Sequence, residues 1–397
     1  SMHDIEILHG LNKKRLIRMT SSTFQAFVWF FTLCALPYIA FTLSIMPSRA
    51  ATKYTLWGKD VKLDIPKEAF PTDAEIQAME DALPECQQHG WFESNGTQLH
   101  YRKFMPPEQP KGVVVYQHGI LAHTGNAFIL KDGRKVNSAL MADSFNKAGY
   151  ALYALDMLGH GFSEGLRWFV PDWKVNRDDL DNFTRFVASE NPGIPLFLFG
   201  ESYGSTTALH LARKWQDSEN APEKFAGVVV IAPAIVSDMP PYPVVFTLRY
   251  ILAPIFPRWV PFFMPNPVSA DRIWRETEVR DIHEDPRWLE MGLDGGGRPF
   301  RLRTAVSLTN ALEVARQNTI PGLDVPFCAI HGTNDVAVPI EGTDMLEQMA
   351  ATPVEDRAVY RIDGAFHDLL SDPKSQEVMG YIIQFINDRA EKMPSAS

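Results

Sequence analysis

The string G-x-S-x-G occurs twice, at Gly161-Phe162-Ser163-Glu164-Gly165 and at Gly200-Glu201-Ser202-Tyr203-Gly204. A serine hydroxyl attacks a carbonyl carbon efficiently only beside a base that a third group orients. Exposing it takes a sharp turn, with a strand before, a helix directly after, and small neighbours that let the two pass closely. Residues 200–204 have that setting: IPLFLF precedes them and YGSTTALHLARKW begins within them. The earlier string comes five residues after its strand closes at Asp156, and the LRWFVPDW behind it has no helical pattern. Ser202 is therefore the expected nucleophile, and Ser163 reads as a structural loop serine.

A nucleophile on such a turn takes its acidic partner and then its histidine from loops at later strand ends. VPFCAIHGTND places Asp335 just past a buried apolar run, and RAVYRIDGAFHD places His367 in the loop after the last one. Of the eleven histidines only His367 lies downstream of Asp335, so the order selects it. Asp363 reads as a strand end and Asp368 as a solvated loop carboxylate. A tetrahedral oxyanion needs preorganised donors. One is expected from the backbone N–H of Tyr203, and the other from the loop His118–Gly125, at Ile120. His118 follows a strand directly and reads as a brace for that loop.

Alternating strands and helices must carry these residues. LHYRKF (99–104), GVVVYQH (112–118), YALYALD (150–156), IPLFLFG (194–200), FAGVVVIAP (225–233), VPFCAIHG (325–332) and RAVYRID (357–363) read as strands. KVNSALMADSFNKAG (135–149), residues 177–189, residues 203–215 and the closing KSQEVMGYIIQFINDRA read as helices. Short apolar runs interleaved with helices predict an α/β fold with a mostly parallel sheet covered on both faces. The alternation breaks between 236 and 305. Residues 239–267 hold eight prolines and only two charges, Arg249 and Arg258. That stretch predicts an insertion of short, broken, apolar helices, a lid over the sheet. The expected division is core at 91–235, lid at 236–305, core again at 306–391 and a tail at 392–397.

Before the core, residues 24–46 carry no charge, and Lys13, Lys14, Arg15 and Arg18 precede them. An uncharged run of that length is enough to cross a bilayer, and the basic flank would keep the N-terminus cytosolic. The expectation is a cytosolic tail at 1–22, a transmembrane anchor at 23–46 and a linker at 47–90. The body would then lie lumenal or extracellular, or be secreted if the segment is cleaved after Ala50. The sequons Asn95-Gly96-Thr97 and Asn182-Phe183-Thr184 are compatible with that side of a membrane.

Composition narrows the classes further. The chain has 397 residues, 45% hydrophobic and 22% charged, which excludes disorder and coiled-coil architecture. The net charge of −10 offers no basic face for nucleic acid. Three cysteines without a C-x-x-C pair make neither a disulfide framework nor a structural zinc site. No metal or organic cofactor is called for by the expected chemistry, and nothing in the composition speaks to oligomeric state.

Taken in order and spacing, YQHGILAHTG, ALDMLGHGFSEG, LFGESYGS, HGTNDVAVP and GAFHDLLSD resemble the monoacylglycerol lipase-like serine hydrolases. That group is related to lysophospholipases and serine aminopeptidases. The resemblance covers roughly residues 90–390 and implies the α/β-hydrolase fold. It also implies hydrolysis of the acyl ester of a single-chain lipid, monoacylglycerol or lysophospholipid, through an acyl-enzyme. Leu121, Ala122 and Asn126 stand where the family's polar head-group residues stand, and His283 where a tyrosine helps. These four are the expected substrate-binding residues, and their departure from the family pattern leaves the head group open. Acyl transfer, for which His367 and Asp372 supply an H-x-x-x-x-D string, and general carboxylesterase activity are the alternatives. A non-catalytic binding protein is the third class, and Asp372 also reads as the N-cap of the last helix.

Overall fold

The computed structural model describes residue 29, residues 87–261, 264, 266–285 and 298–393. All but Trp29 belong to one compact unit, Thr52–Ser397. Apart from Trp29, the expected anchor at 23–46 and the tail before it lie outside the described residues. Among the described residues no helix is long and apolar enough to cross a membrane.

Among the described residues eight strands form the main sheet, in the order β1-β2-β6-β3-β7-β8-β9-β10. They are β1 (Gln87–Ser94), β2 (Thr97–Phe104), β3 (Gly112–Gln117), β6 (Tyr150–Leu155), β7 (Leu196–Glu201), β8 (Phe225–Ile231), β9 (Phe327–Gly332) and β10 (Arg357–Ile362). The pairs β1/β2 and β2/β6 are antiparallel, and every later pair is parallel. A small antiparallel pair, β4 (Ala127–Ile129) and β5 (Lys135–Val136), stands apart.

The central strands are apolar on both faces because both faces are covered. In β3, Val114 and Tyr116 face one core while Val113 and Val115 face the other. Helices α1 (Asn137–Lys147) and α8 (Ser375–Lys392) close the first face with Phe145, Ile382 and Phe385. Helices α2 (Trp173–Glu190) and α3 (Tyr203–Ser218) close the second with Leu180, Phe183, Leu209 and Trp215. Each such fully buried side chain stabilises by roughly 1.5–3 kcal/mol relative to exposure.

Four boundaries differ from the sequence expectation. The linker assigned to 47–90 ends inside β1, whose hairpin with β2 turns on Asn95 and Gly96, both at positive φ. Helix α1 begins at Asn137, because Lys135 and Val136 pair with β4. The inserted segment contains α4 (Tyr242–Thr247), a run of π-type turns at Leu248–Leu252, α5 (Thr277–His283) and then α6 (Leu302–Val314). Helix α6 thus crosses the boundary placed at 305. Arg301 ties its start down, donating to the carbonyls of Arg167 at 3.0 Å and Arg258 at 2.8 Å. The short α7 (Glu341–Met349) follows β9. Finally, α8 starts at Ser375, so Asp372 is not its N-cap. Its buried carboxylate instead accepts from the N–H of Lys374 at 2.9 Å, in the turn before the helix.

Candidate active site

Ser202 sits between β7 and α3 at φ 52° and ψ −118°, a strained positive-φ conformation that costs a residue with a Cβ roughly 1–3 kcal/mol. The bend is held by its surroundings. Ser202 N–H donates to Ile231 at 3.0 Å, and Ser205 Oγ donates to Gly200 at 2.7 Å and to Ile231 at 3.0 Å. Gly204 lets α3 start against β3: a Cβ there would lie 2.1 Å from the carbonyl oxygen of Gln117.

Ser202, chosen by its setting, and Asp335 and His367, chosen by order, meet here. Ser202 Oγ lies 2.9 Å from His367 Nε2, and His367 Nδ1 lies 2.6 Å from Asp335 Oδ2. Asp335 comes three residues after β9 and is buried, with Oδ1 accepting the N–H groups of Ala337 at 2.9 Å and Val338 at 2.8 Å. Burial alone would raise its pKa. His367 and His331 outweigh that and hold it well below the usual carboxylate range. Burial likewise pulls His367 towards the neutral form, but Asp335, Glu201 and Asp368 prevail and its pKa is raised.

His331, which the sequence pattern does not single out, is a second hold on Asp335. Its Nε2 lies 3.0 Å from Asp335 Oδ2 and 3.2 Å from the Val338 carbonyl, both acceptors, so that nitrogen carries the proton. Its Nδ1 then accepts from Thr343 Oγ1 at 2.6 Å. The only hint in the sequence is a polar residue inside an otherwise apolar β9.

The loop after β3 lies against the nucleophile, with a Cβ placed on Gly119 reaching 3.2 Å from Ser202 Cβ. His118 is the expected brace: Nδ1 donates to the Gly119 carbonyl at 2.7 Å and Nε2 accepts from Met157 N–H at 3.0 Å. Burial lowers its pKa, consistent with that neutral pattern. Asp156 holds the far end of the loop, accepting Thr124 N–H at 2.7 Å and the His100 ring at 2.8 Å. Among the described residues, no acceptor is found for the backbone N–H of Ile120 or of Tyr203. Ser163 is buried and fully used, donating to Asp156 at 2.6 Å and accepting from His100 N–H at 2.8 Å. It lines neither of the two cavities that meet at Ser202, and its hydrogen bonds make it structural.

Two cavities meet at Ser202. The larger, about 260 Å³, runs beneath the inserted segment along Leu248, Leu302, Leu308, Leu312 and Val338. The smaller, about 70 Å³, takes in all four residues expected to bind substrate, Leu121, Ala122, Asn126 and His283. His283 stacks flat on Trp274, ring centroids 4.1 Å apart. Asp368 departs from expectation. It is buried in the cavity wall, with Oδ2 accepting from Trp274 Nε1 at 2.8 Å and Oδ1 from the N–H of Leu370 at 3.1 Å. A carboxylate so surrounded by donors has no need of solvent. Glu201 and Tyr116 complete this wall, the phenol donating to Glu201 Oε2 at 2.5 Å.

Residues 108–374 match the Hydrolase_4 family, serine aminopeptidase, S33. Human monoglyceride lipase is 26% identical over 277 residues, spanning 70% of this chain and 82% of that protein. Caffeoylshikimate esterase of Arabidopsis thaliana is 25% identical over 314 residues, 77% of this chain and 86% of the esterase. The crystal structure of Paleococcus ferrophilus monoacylglycerol lipase superimposes with a TM-score of 0.58 at 25% identity, covering 73% of this chain and 99% of that one. With this sheet order, the family match over most of the core leaves one assignment: the chain belongs to the serine aminopeptidase, S33 family and is an α/β-hydrolase-fold enzyme, a carboxylic ester hydrolase.

Proposed function

We propose that the enzyme cleaves the acyl ester of single-chain lipids through an acyl-enzyme formed on Ser202. The observation that carries this reading is the continuous contact from Ser202 Oγ to His367 Nε2 at 2.9 Å and from His367 Nδ1 to Asp335 at 2.6 Å. Ser202 Oγ attacks the ester carbonyl while His367 Nε2 takes its proton; Asp335 keeps the imidazole oriented and stabilises the cation that forms. The N–H groups of Ile120 and Tyr203 receive the oxyanion. Collapse expels the alcohol, which leaves with the proton from His367. Water, deprotonated by the same imidazole, then releases the fatty acid and restores the serine.

The apolar cavity suits an acyl chain, and the inserted segment serves as its lid and wall. The names of the relatives, two lipases of monoacylglycerols and one esterase, support an ester substrate and leave the alcohol open. The uncharged run at 24–46 supports a membrane-anchored placement; release of intact protein by alkaline carbonate would refute it.

Replacing Ser202 by Ala tests the central assignment. Ester turnover is expected to fall by roughly 10⁴- to 10⁶-fold, and labelling by a fluorophosphonate to disappear. Undiminished labelling of the Ser202→Ala protein removes Ser202 from the mechanism. Product analysis with an acyl donor and a competing alcohol separates hydrolysis from acyl transfer.

A further inference from the structure

His367 sits on residues 363–374, a connection between β10 and α8 without regular structure. A base carried by such a loop needs outside support to stay in line with its nucleophile. Four consecutive residues of the inserted segment supply it. A single helical turn, Ala270–Ile273, stops at Trp274, whose backbone is extended. The Trp274 indole donates to Asp368 Oδ2 at 2.8 Å, and the Ile273 carbonyl accepts Asp368 N–H at 3.2 Å, so the residue after His367 is held twice. The residue before it is held from the same stretch. Phe366 N–H donates to Asp372 Oδ2 at 3.5 Å, and Arg275 Nη1 lies 4.0 Å from Asp372 Oδ1. Arg272 reaches the other catalytic loop and donates to the carbonyl of Val336, the residue after Asp335.

This stretch is itself fixed to the body of the protein. The Trp274 ring lies flat on His283 and packs with Leu130, Val136 and Val279 in one apolar cluster. Next to it, Arg134 donates to both oxygens of Glu276 at 2.8 Å. The indole contact is the critical one. Asp368 Oδ1 is held within its own loop, by the N–H groups of Leu370 and Ser371, whereas among the described residues only Trp274 holds Oδ2. A hydrogen bond to a buried carboxylate is charge-assisted and strong, and an oxygen left without its donor drives the loop to rearrange. We propose that residues 272–275 are a clamp that aligns the catalytic base, and that Trp274 is a positioning residue acting through Asp368 on His367. The inserted segment is then part of the catalytic frame as well as a cavity wall. The assignment rests on the ester-hydrolase reading above, since it needs His367 to be the base.

His367 takes a proton in acylation and again in deacylation, after the alcohol has left. Trp274 also lines the smaller cavity, and a residue that merely touched the alcohol there would affect the first step alone. A residue that aims His367 affects both. Trp274→Phe removes the indole N–H and keeps a ring on His283. In the full-length protein, exhaustive fluorophosphonate labelling counts competent sites, and rates are expressed per labelled site, so that unfolded protein drops out. With p-nitrophenyl butyrate, the burst of p-nitrophenol reads acylation and the steady state after it reads deacylation. Both are expected to slow by roughly ten- to a hundredfold in Trp274→Phe, while the substrate concentration that half-saturates the burst changes by no more than about threefold. Arg275→Gln alters an exposed side chain that fills no core, and is expected to slow both steps by about threefold. That variant decides the matter if Trp274→Phe does not fold. Slower acylation with unchanged deacylation overturns the clamp and leaves Trp274 as cavity lining, and so do wild-type rates for both steps. Failure of the wild type to label removes the chemistry at Ser202 itself, so the two readings fail separately.

Discussion

Ser202, His367 and Asp335 form a chain in which each member fixes the state of the next, and its electrostatics set a pH dependence. His367 must be neutral to accept the serine proton. Burial favours the neutral ring, but Asp335, Glu201 and Asp368 together raise its pKa. The acid limb of kcat/KM is therefore expected to titrate above the ordinary imidazole value of roughly 6.5, with activity lost as pH falls through it. Replacing Asp335 by Asn removes the largest of the three carboxylate contributions. The limb should move to lower pH, and kcat should drop by about 10⁴-fold because the ring loses its orienting acceptor. A pH profile of both proteins on a short p-nitrophenyl ester checks this, and a limb that stays in place would show that Asp335 does not set the titration. Motif context for Ser202 and chain order for Asp335 and His367 pick out three residues that the fold brings into contact. The same reasoning misjudges Asp368 as solvated, because the Trp274 indole that buries it comes from the inserted segment, about ninety residues earlier in the chain. Nothing local to GAFHDLLSD announces that partner.

The elbow is also a packing event between elements. Helix α3 begins where β3 passes, and only a hydrogen fits between them at position 204: a Cβ would stand 2.1 Å from the Gln117 carbonyl oxygen and 2.6 Å from that of His118. Both obstructing atoms are backbone, so neither can swing aside as a side chain would. Gly204→Ala is expected to lose at least about 2 kcal/mol of stability by overpacking, and activity beyond that by displacing Ser202. Denaturant unfolding and the labelling rate separate the two effects, and a variant of unchanged stability would mean that helix and strand have room to spare. Elements of this kind are legible because the strands are apolar on both faces and the G-x-S-x-G string demands a strand before it and a helix after it. Where pairing is not written in hydrophobicity, the reading fails. In β1, QQHGWFES has no alternation, and its strand character comes from register with β2 across the Asn95-Gly96 turn. That dipeptide is itself a strong hairpin signal, easily taken for a sequon alone. The division placed at 305 falls inside helix α6 for a related reason: the start at Leu302 is fixed by Arg301 reaching two distant carbonyls, which no local pattern encodes.

On the scale of the molecule, the parallel sheet delivers the reactive groups to one end, and under the proposed function the inserted segment is the lid that decides what reaches them. Helix α6 turns Leu302, Ala305, Val306, Thr309 and Leu312 towards the larger cavity, residues three or four apart and so on one face. If that face is the wall of an acyl site, its depth sets the chain length the enzyme accepts. Each methylene kept out of an apolar cavity forfeits about 0.8 kcal/mol of binding, or about fourfold in kcat/KM. Ala305→Trp places an indole in the cavity from a half-buried position without touching Ser202, His367 or Asp335. Oleoyl esters should then lose at least tenfold in kcat/KM, while p-nitrophenyl acetate, whose acyl part ends before the obstruction, should change by no more than about threefold. The ratio of the two rates is the measurement, since a general loss of folding lowers both and leaves it unchanged. A ratio that does not move would mean that the acyl chain lies elsewhere, and the inserted segment would lose its role in selecting substrate while the chemistry at Ser202 stood as before.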